Sequence, residues 1–169
     1  DHRRQRQMCI RDRYERSYVY LIKVGEIRST FLRNYVYHVN KPIDHKLLSK
    51  ELKGIIGTHD FSAFRSSQCS AKDPVKTISK ASFEERDNLI CIEFSANAFL
   101  HNMIRILIGT LVEISTNADS EYTITDIISS KNRALAGKTA PANGLYFLGA
   151  KYKDIQNTNI PFKKFFDSL

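Results

Sequence analysis

The chain has 169 residues, a formal net charge of +8 and an isoelectric point near 9.4. It is about one domain long, and its charge suits a polyanionic partner, RNA or DNA before an anionic membrane. Ten Phe and eight Tyr supply bulk for a core, which argues against a disordered, collagenous or low-complexity assembly. Three widely spaced cysteines (Cys9, Cys69, Cys91) with no C-x-x-C pair point to reduced thiols rather than a disulfide frame or a zinc site. The longest apolar stretch is interrupted by Arg105 and Glu113, far short of the ~20 residues of a membrane span, and no apolar secretory region is visible. The sequence reads as a soluble cytoplasmic protein.

Residues 1–13 hold five Arg and two Asp, with no apolar period and no helix caps. They read as a non-native leader outside the fold, a basic arm on nucleic acid being the other reading. Tyr18 to Val24 is β-branched and aromatic and predicts a strand, with Tyr18, Tyr20, Ile22 and Val24 on one face. Beyond Pro42, Asp44 is a fitting N-cap for a helix whose Leu47, Leu48, Leu52, Ile55 and Ile56 repeat at helical spacing up to Gly57. His59 to Arg65 predicts an aromatic-anchored turn. Val75–Glu85 and Leu89–Ala96 predict a hairpin across the polar Arg86-Asp87-Asn88. Ala98 to Ser115 is the strongest helix, Thr123 to Ser129 a shorter one. Tyr146 to Tyr152 is a last strand behind the turn chemistry of Pro141, Asn143 and Gly144. A hairpin beside segregated helices indicates an α+β fold with a mainly antiparallel sheet and helices packed on one face. The domain is placed at 14–152, with a C-terminal tail at 153–169.

The helix expected at Ala98–Ser115 is apolar on most sides, and such helices are buried. Asn97, His101, Arg105 and Gly109 nevertheless recur at steps of four and would form one small-or-polar stripe. An arginine among apolar neighbours is costly unless an anion meets it. Arg105 therefore has two readings: an internal ion pair or snorkelling group, or a guanidinium aimed into a cleft at a carboxylate or phosphate. Tyr18 likewise is either strand packing or a surface on which a nucleobase stacks.

Taken in order, Arg16-Ser-Tyr-Val-Tyr20, Gly57-Thr-His-Asp-Phe-Ser-Ala-Phe-Arg65, the Phe94–Gly109 block containing Asn-Ala-Phe-Leu-His-Asn-Met-Ile-Arg, and Thr139-Ala-Pro-Ala-Asn-Gly-Leu-Tyr146 resemble the tRNA pseudouridine synthase A family over residues 16–152. The resemblance implies two similar α+β halves sharing a continuous sheet, of which this chain would be one ferredoxin-like half, with the active-site cleft between them and a homodimeric assembly. It implies a substrate, uridines at positions 38–40 in the anticodon stem-loop of tRNA, and isomerisation to pseudouridine without metal or organic cofactor. By motif position, Tyr18 would stack on the flipped base and serve the C5 proton step. Arg105 would pair with the catalytic aspartate, and Leu145 would form the apolar wall under the uracil. A guanidinium fork orients a carboxylate and keeps it ionised, and apolar walls exclude water.

The family's aspartate lies in an Arg-Thr-Asp-x-Gly-Val type motif, and no such motif occurs in this sequence. Asp60 sits at a turn-stabilising position of the His-Asp-Phe block, and Asp12 lies in the leader. The expectation is therefore a C-terminal half, inactive alone. Arg65, with Lys72 and Lys76, is a candidate phosphate contact. His101 is a candidate donor to RNA or to backbone. Lys138 stands where the family often has proline and predicts a looser turn. Phe162, Phe165 and Phe166 of the tail are expected to pack on the domain or at a dimer contact. The competing reading is a non-catalytic RNA-binding module with a ferredoxin-like sheet.

Overall fold

The computed structural model describes residues 13–28, 30–117, 119–152 and 164. The leader apart from Arg13, with Cys9 and Asp12, and the tail phenylalanines lie outside the described residues. Six strands, three α-helices and three short 3-10 turns make up the rest: β1 (Arg13–Val24), β2 (Tyr37–Val39), α1 (His45–Ile55), β3 (Gly57–Asp60), β4 (Val75–Arg86), β5 (Leu89–Ala96), α2 (Met103–Thr116), α3 (Ile124–Ser130) and β6 (Leu145–Tyr152).

The sheet runs β2-β1-β5-β4-β3, with β6 sharing the β2 edge of β1. Four of its pairings are antiparallel; only β1 with β2 is parallel. The fold is α+β with a mainly antiparallel sheet, as expected. β1 is longer than predicted, and Arg13 already pairs with Tyr152 in β6. Two strands were not predicted, β2 and β3. At three and four residues, they are too short to show an alternating pattern.

The period of two in β1 sorts the molecule into two cores. Tyr20 and Ile22 point into the main one, which gathers the buried residues of α1, α2 and α3 with Phe61, Phe64 and the inward side of β4 and β5. Val19 and Leu21 point the other way, into a small cluster with Val36, Cys91 and Leu148. All three helices thus lie on one face. Local chemistry sets their ends. Asp44 caps α1 by accepting from the N–H of Lys46 and Leu47 at 2.9 and 3.0 Å. Thr123 and Asp126 form a capping box on α3. The buried Glu51 carboxylate of α1 accepts the Ile124 N–H at 2.6 Å and so joins α1 to the start of α3. At the β4–β5 hairpin, Asp87 and Asn88 both hold positive φ (52° and 60°), the backbone of a tight turn whose twist matches the strands.

α2 departs from its prediction. It begins at Met103, not Ala98, because Asn102 adopts a left-handed conformation (φ 61°) and ends the preceding loop. The Asn97 side chain accepts from the N–H of Thr77 and Ala98, which holds that loop against β4. The expected four-residue stripe is therefore cut in two: Arg105 and Gly109 stand on α2, while Asn97 and His101 lie in the loop before it.

Candidate active site

The first turn of α2, the start of β1, the Gln68–Ala71 loop and the beginning of β6 enclose a cavity of about 680 Å³. Tyr18, Arg105, Leu145 and His101 line it, so the structure brings together four of the five residues singled out in the sequence. Arg65 is the exception. Its guanidinium donates to the Cys69 carbonyl at 2.9 Å, so it braces its own loop and does not line the cavity. His101 lies exposed in the turn before α2, not on the helix, and its carbonyl accepts from the Ser66 N–H.

Tyr18 is half-buried between two rings set edge-on to it, Phe99 at 5.4 Å and Phe147 at 5.2 Å between centroids. Edge-to-face contacts of this kind fix the plane of a ring while leaving part of it open to a flat ligand. Leu145 opens β6 opposite Tyr20 and is held there by Gly144, where a Cβ would meet the Leu21 carbonyl at 2.8 Å and the Tyr20 ring at 2.9 Å.

Arg105 is positioned by backbone. Its Nε donates to the Ala140 carbonyl at 2.7 Å, one terminal nitrogen donates to Asn102 Oδ1 at 3.1 Å, and its own carbonyl accepts the Ala140 N–H at 3.0 Å. The 137–140 strap is docked once more by the Gly137 N–H on Thr110 Oγ1 at 2.9 Å. This corrects the expectation of a loose turn at Lys138: the side chain is exposed, but the backbone is fixed on α2. Of five guanidinium N–H groups, two are used and three remain for the cleft. No carboxylate of the described residues pairs with Arg105, and no Asp or Glu lines the cavity.

Tyr20 is fully buried beside Leu145 with its hydroxyl on the Pro141 carbonyl at 2.6 Å, and burial raises its pKa well above the ordinary phenol value. Cys69 lines the cavity, and the backbone N–H groups of His101 and Ala71 hold its thiol below the usual range. Asp60 is occupied elsewhere. Its Oδ1 accepts the Ser62 N–H and hydroxyl, which lowers its pKa and closes the turn after β3, and Oδ2 meets Lys131 at 3.1 Å. It is thus a turn residue, as the sequence implied.

Three contributors were missed in the sequence. Arg16 lines the same cavity, and its Nε is buried with no hydrogen-bond partner. The signal was present, since Arg16 and Tyr18 share a strand face at a period of two. Phe99 and Phe147 gave no comparable signal, because their contact with Tyr18 is made by separate elements. Among the described residues no His, Cys, Asp and Glu group is arranged to hold a metal ion, and no helix is long and apolar enough to cross a membrane.

Comparison with known proteins bears on this cleft. The family model described as tRNA pseudouridine synthase matches residues 52–153. A tRNA pseudouridine synthase A of Acetivibrio thermocellus is 42% identical over 135 residues, 80% of this chain and 55% of the relative. That of a Geobacillus species is 39% identical over 137 residues, 81% of this chain and 55% of the relative. The protein of the same name from Buchnera aphidicola is 39% identical over 137 residues, covering 81% and 52%. The chain thus spans about half the length of the curated relatives it matches, and the matched region holds Arg105, Leu145 and the strap that orients the guanidinium. With motif, fold and cleft in agreement, the chain belongs to the tRNA pseudouridine synthase family.

Proposed function

We propose that the protein isomerises uridine to pseudouridine in the anticodon stem-loop of tRNA, and that this chain supplies the wall of the cleft on which the flipped base lies. The observation that carries this reading is Arg105: a half-buried guanidinium, oriented by two hydrogen bonds, facing a cavity lined by no carboxylate. A cation so placed calls for an anion, because a desolvated charge is costly until it is paired. In this reading the anion is a catalytic aspartate contributed from outside these 169 residues, which makes the chain inactive by itself.

The target base leaves its stack to reach such a site. The N1–C1′ bond breaks and the uracil turns. C5 then bonds to C1′, the C5 proton is lost and N1 takes up a proton. Tyr18 stacks on the uracil and serves the C5 proton step, Leu145 keeps water from the reacting carbon, and Arg105 holds the aspartate ionised and aimed. Arg65 and His101 remain as contacts to RNA outside the reacting centre. The same reading makes the protein a cytoplasmic homodimer that works without metal or organic cofactor.

Tritium release from [5-³H]uridine in tRNA tests this in the full-length protein. Arg105→Ala is expected to lower turnover by about 10²-fold or more while tRNA affinity changes only a few-fold. Equal losses in both would reduce Arg105 to a phosphate contact. Tyr18→Phe preserves stacking and removes the hydroxyl, so unchanged kinetics would leave Tyr18 a stacking role only. Tight tRNA binding with no tritium release from the full-length protein would establish the competing non-catalytic module.

A further inference from the structure

The outer edge of β1 changes partner midway: β6 pairs with it as far as Tyr20, and β2 takes over at Ile22. A second cavity, of about 110 Å³, opens at this notch. Lys23, Arg28, Arg33, His38 and Asn143 are among its lining residues, which include three permanent cations and no Asp or Glu. Lys23 Nζ is anchored on the Asp87 carbonyl, while the Arg28 and Arg33 guanidiniums make no hydrogen bond or ion pair with a described residue. His38 Nε2 is buried without a hydrogen-bond partner, which argues for a polar occupant, while Asn143 Nδ2 is committed to the Arg33 and Val36 carbonyls.

Like charges gathered at one concavity repel each other unless an anion sits among them, and forked N–H groups match the oxygens of a phosphate. The volume suits a single tetrahedral oxyanion rather than a nucleobase. Position relates the notch to the main cleft. Pro141 and Asn143 line the notch, and the same turn continues into Leu145 of the cleft. Along β1, Lys23 stands five residues from Tyr18, about 16 Å of extended chain, and on the other sheet face, so the two sites meet across the β6–β2 edge of β1.

We propose that this notch binds a backbone phosphate of the RNA whose target base occupies the cleft, a few nucleotides along the same strand. This rests on the tRNA reading above. Such a contact fixes the register of the RNA without reading its sequence.

The test uses the full-length protein and an anticodon stem-loop RNA. Arg28 and Arg33 are exposed, so the double variant R28A/R33A leaves the core intact. K50A/K53A, which removes two exposed lysines from α1, is the control of equal charge. R28A/R33A is expected to bind the RNA about 10-fold or more weakly near 0.15 M salt, with a log–log salt slope shallower by about 0.7 per lost phosphate contact and unchanged turnover at saturation. K50A/K53A should stay within about twofold of wild type. Equal losses in the two variants, or an unchanged slope, would overturn the site. A second arm uses inorganic phosphate against chloride at matched ionic strength. Thermal stabilisation that R28A/R33A abolishes, with RNA affinity untouched, would mean that the notch takes a free anion, and the proposal would fall. If the wild type shows R28A/R33A-sensitive binding but forms no pseudouridine, the isomerase reading fails and this site stands. If both proteins form pseudouridine at the same KM, the site fails and the isomerase reading stands.

Discussion

Replacing Gly109 by alanine sets two effects of opposite sign against each other. Within a helix, alanine is better than glycine by about 1 kcal/mol, so local propensity predicts a more stable protein. The tertiary structure predicts the reverse. A Cβ at position 109 would overlap the Lys138 carbonyl oxygen outright, lie 2.9 Å from its carbon and 3.4 Å from the Ala140 nitrogen. The obstacle is backbone, which cannot rotate away as a side chain can. The 137–140 strap would have to lift from α2, breaking the Ala140 bonds to Arg105 and loosening Gly137 from Thr110. An overpacking cost of about 3 kcal/mol less the propensity gain leaves a net loss of about 2 kcal/mol, or roughly 4–8 °C in Tm. Thermal denaturation followed by circular dichroism measures it, and turnover should fall too, since the strap orients the Arg105 guanidinium. Gly54→Ala in α1 is the control. There the nearest atom is a methyl of the Thr125 side chain, also at 2.9 Å but able to move, and the change should be near neutral. An unchanged or raised Tm for Gly109→Ala would refute the role given to this contact.

Tyr20→Phe removes the hydroxyl from the Pro141 carbonyl and should cost about 1 kcal/mol in chemical denaturation, the net worth of one part-buried hydrogen bond; no loss would mean that the hydroxyl does not hold the turn at Pro141. The two described cysteines should separate by alkylation and peptide mass mapping. Burial, then Glu93 and Glu84, push the Cys91 thiol up to about 12, whereas backbone N–H groups hold Cys69 below the usual range. The thiolate is the nucleophile, so at pH about 8 iodoacetamide should modify Cys69 and leave Cys91 until the protein unfolds. The labelling rate of Cys69 should rise with pH through a midpoint below that of an ordinary thiol, and bound tRNA should slow it. Equal labelling of both, or indifference to tRNA, would remove Cys69 from the cleft.

Much of this molecule was legible in one dimension. Apolar spacing and Asp44 predicted α1, β-branched and aromatic content predicted the 18–24 part of β1, and two strand runs flanking the polar link at Arg86, Asp87 and Asn88 predicted β4, β5 and their hairpin. Each of these signals is local, because burial of one face imposes a period and caps and turns use side chains within a few residues. Tyr18 and Arg105 stood out from their strand and helix contexts, Leu145 came from motif resemblance, and the three line one cavity.

What the chain alone left open depends on approach between distant segments. The start of α2 moved five residues because Asn102 takes a left-handed backbone and Asn97 bonds across to β4, choices that helical periodicity does not record. Arg105 carried two readings until the Ala140 strap, 35 positions away, was seen to hold its guanidinium toward the cleft. Gly109 read as one small residue of a stripe and proved to be the contact that admits this strap. Composition and period decide which residues lie inside. Hydrogen bonds and exclusion between segments remote in sequence decide where a buried charge points, and that orientation is the basis of the proposed chemistry.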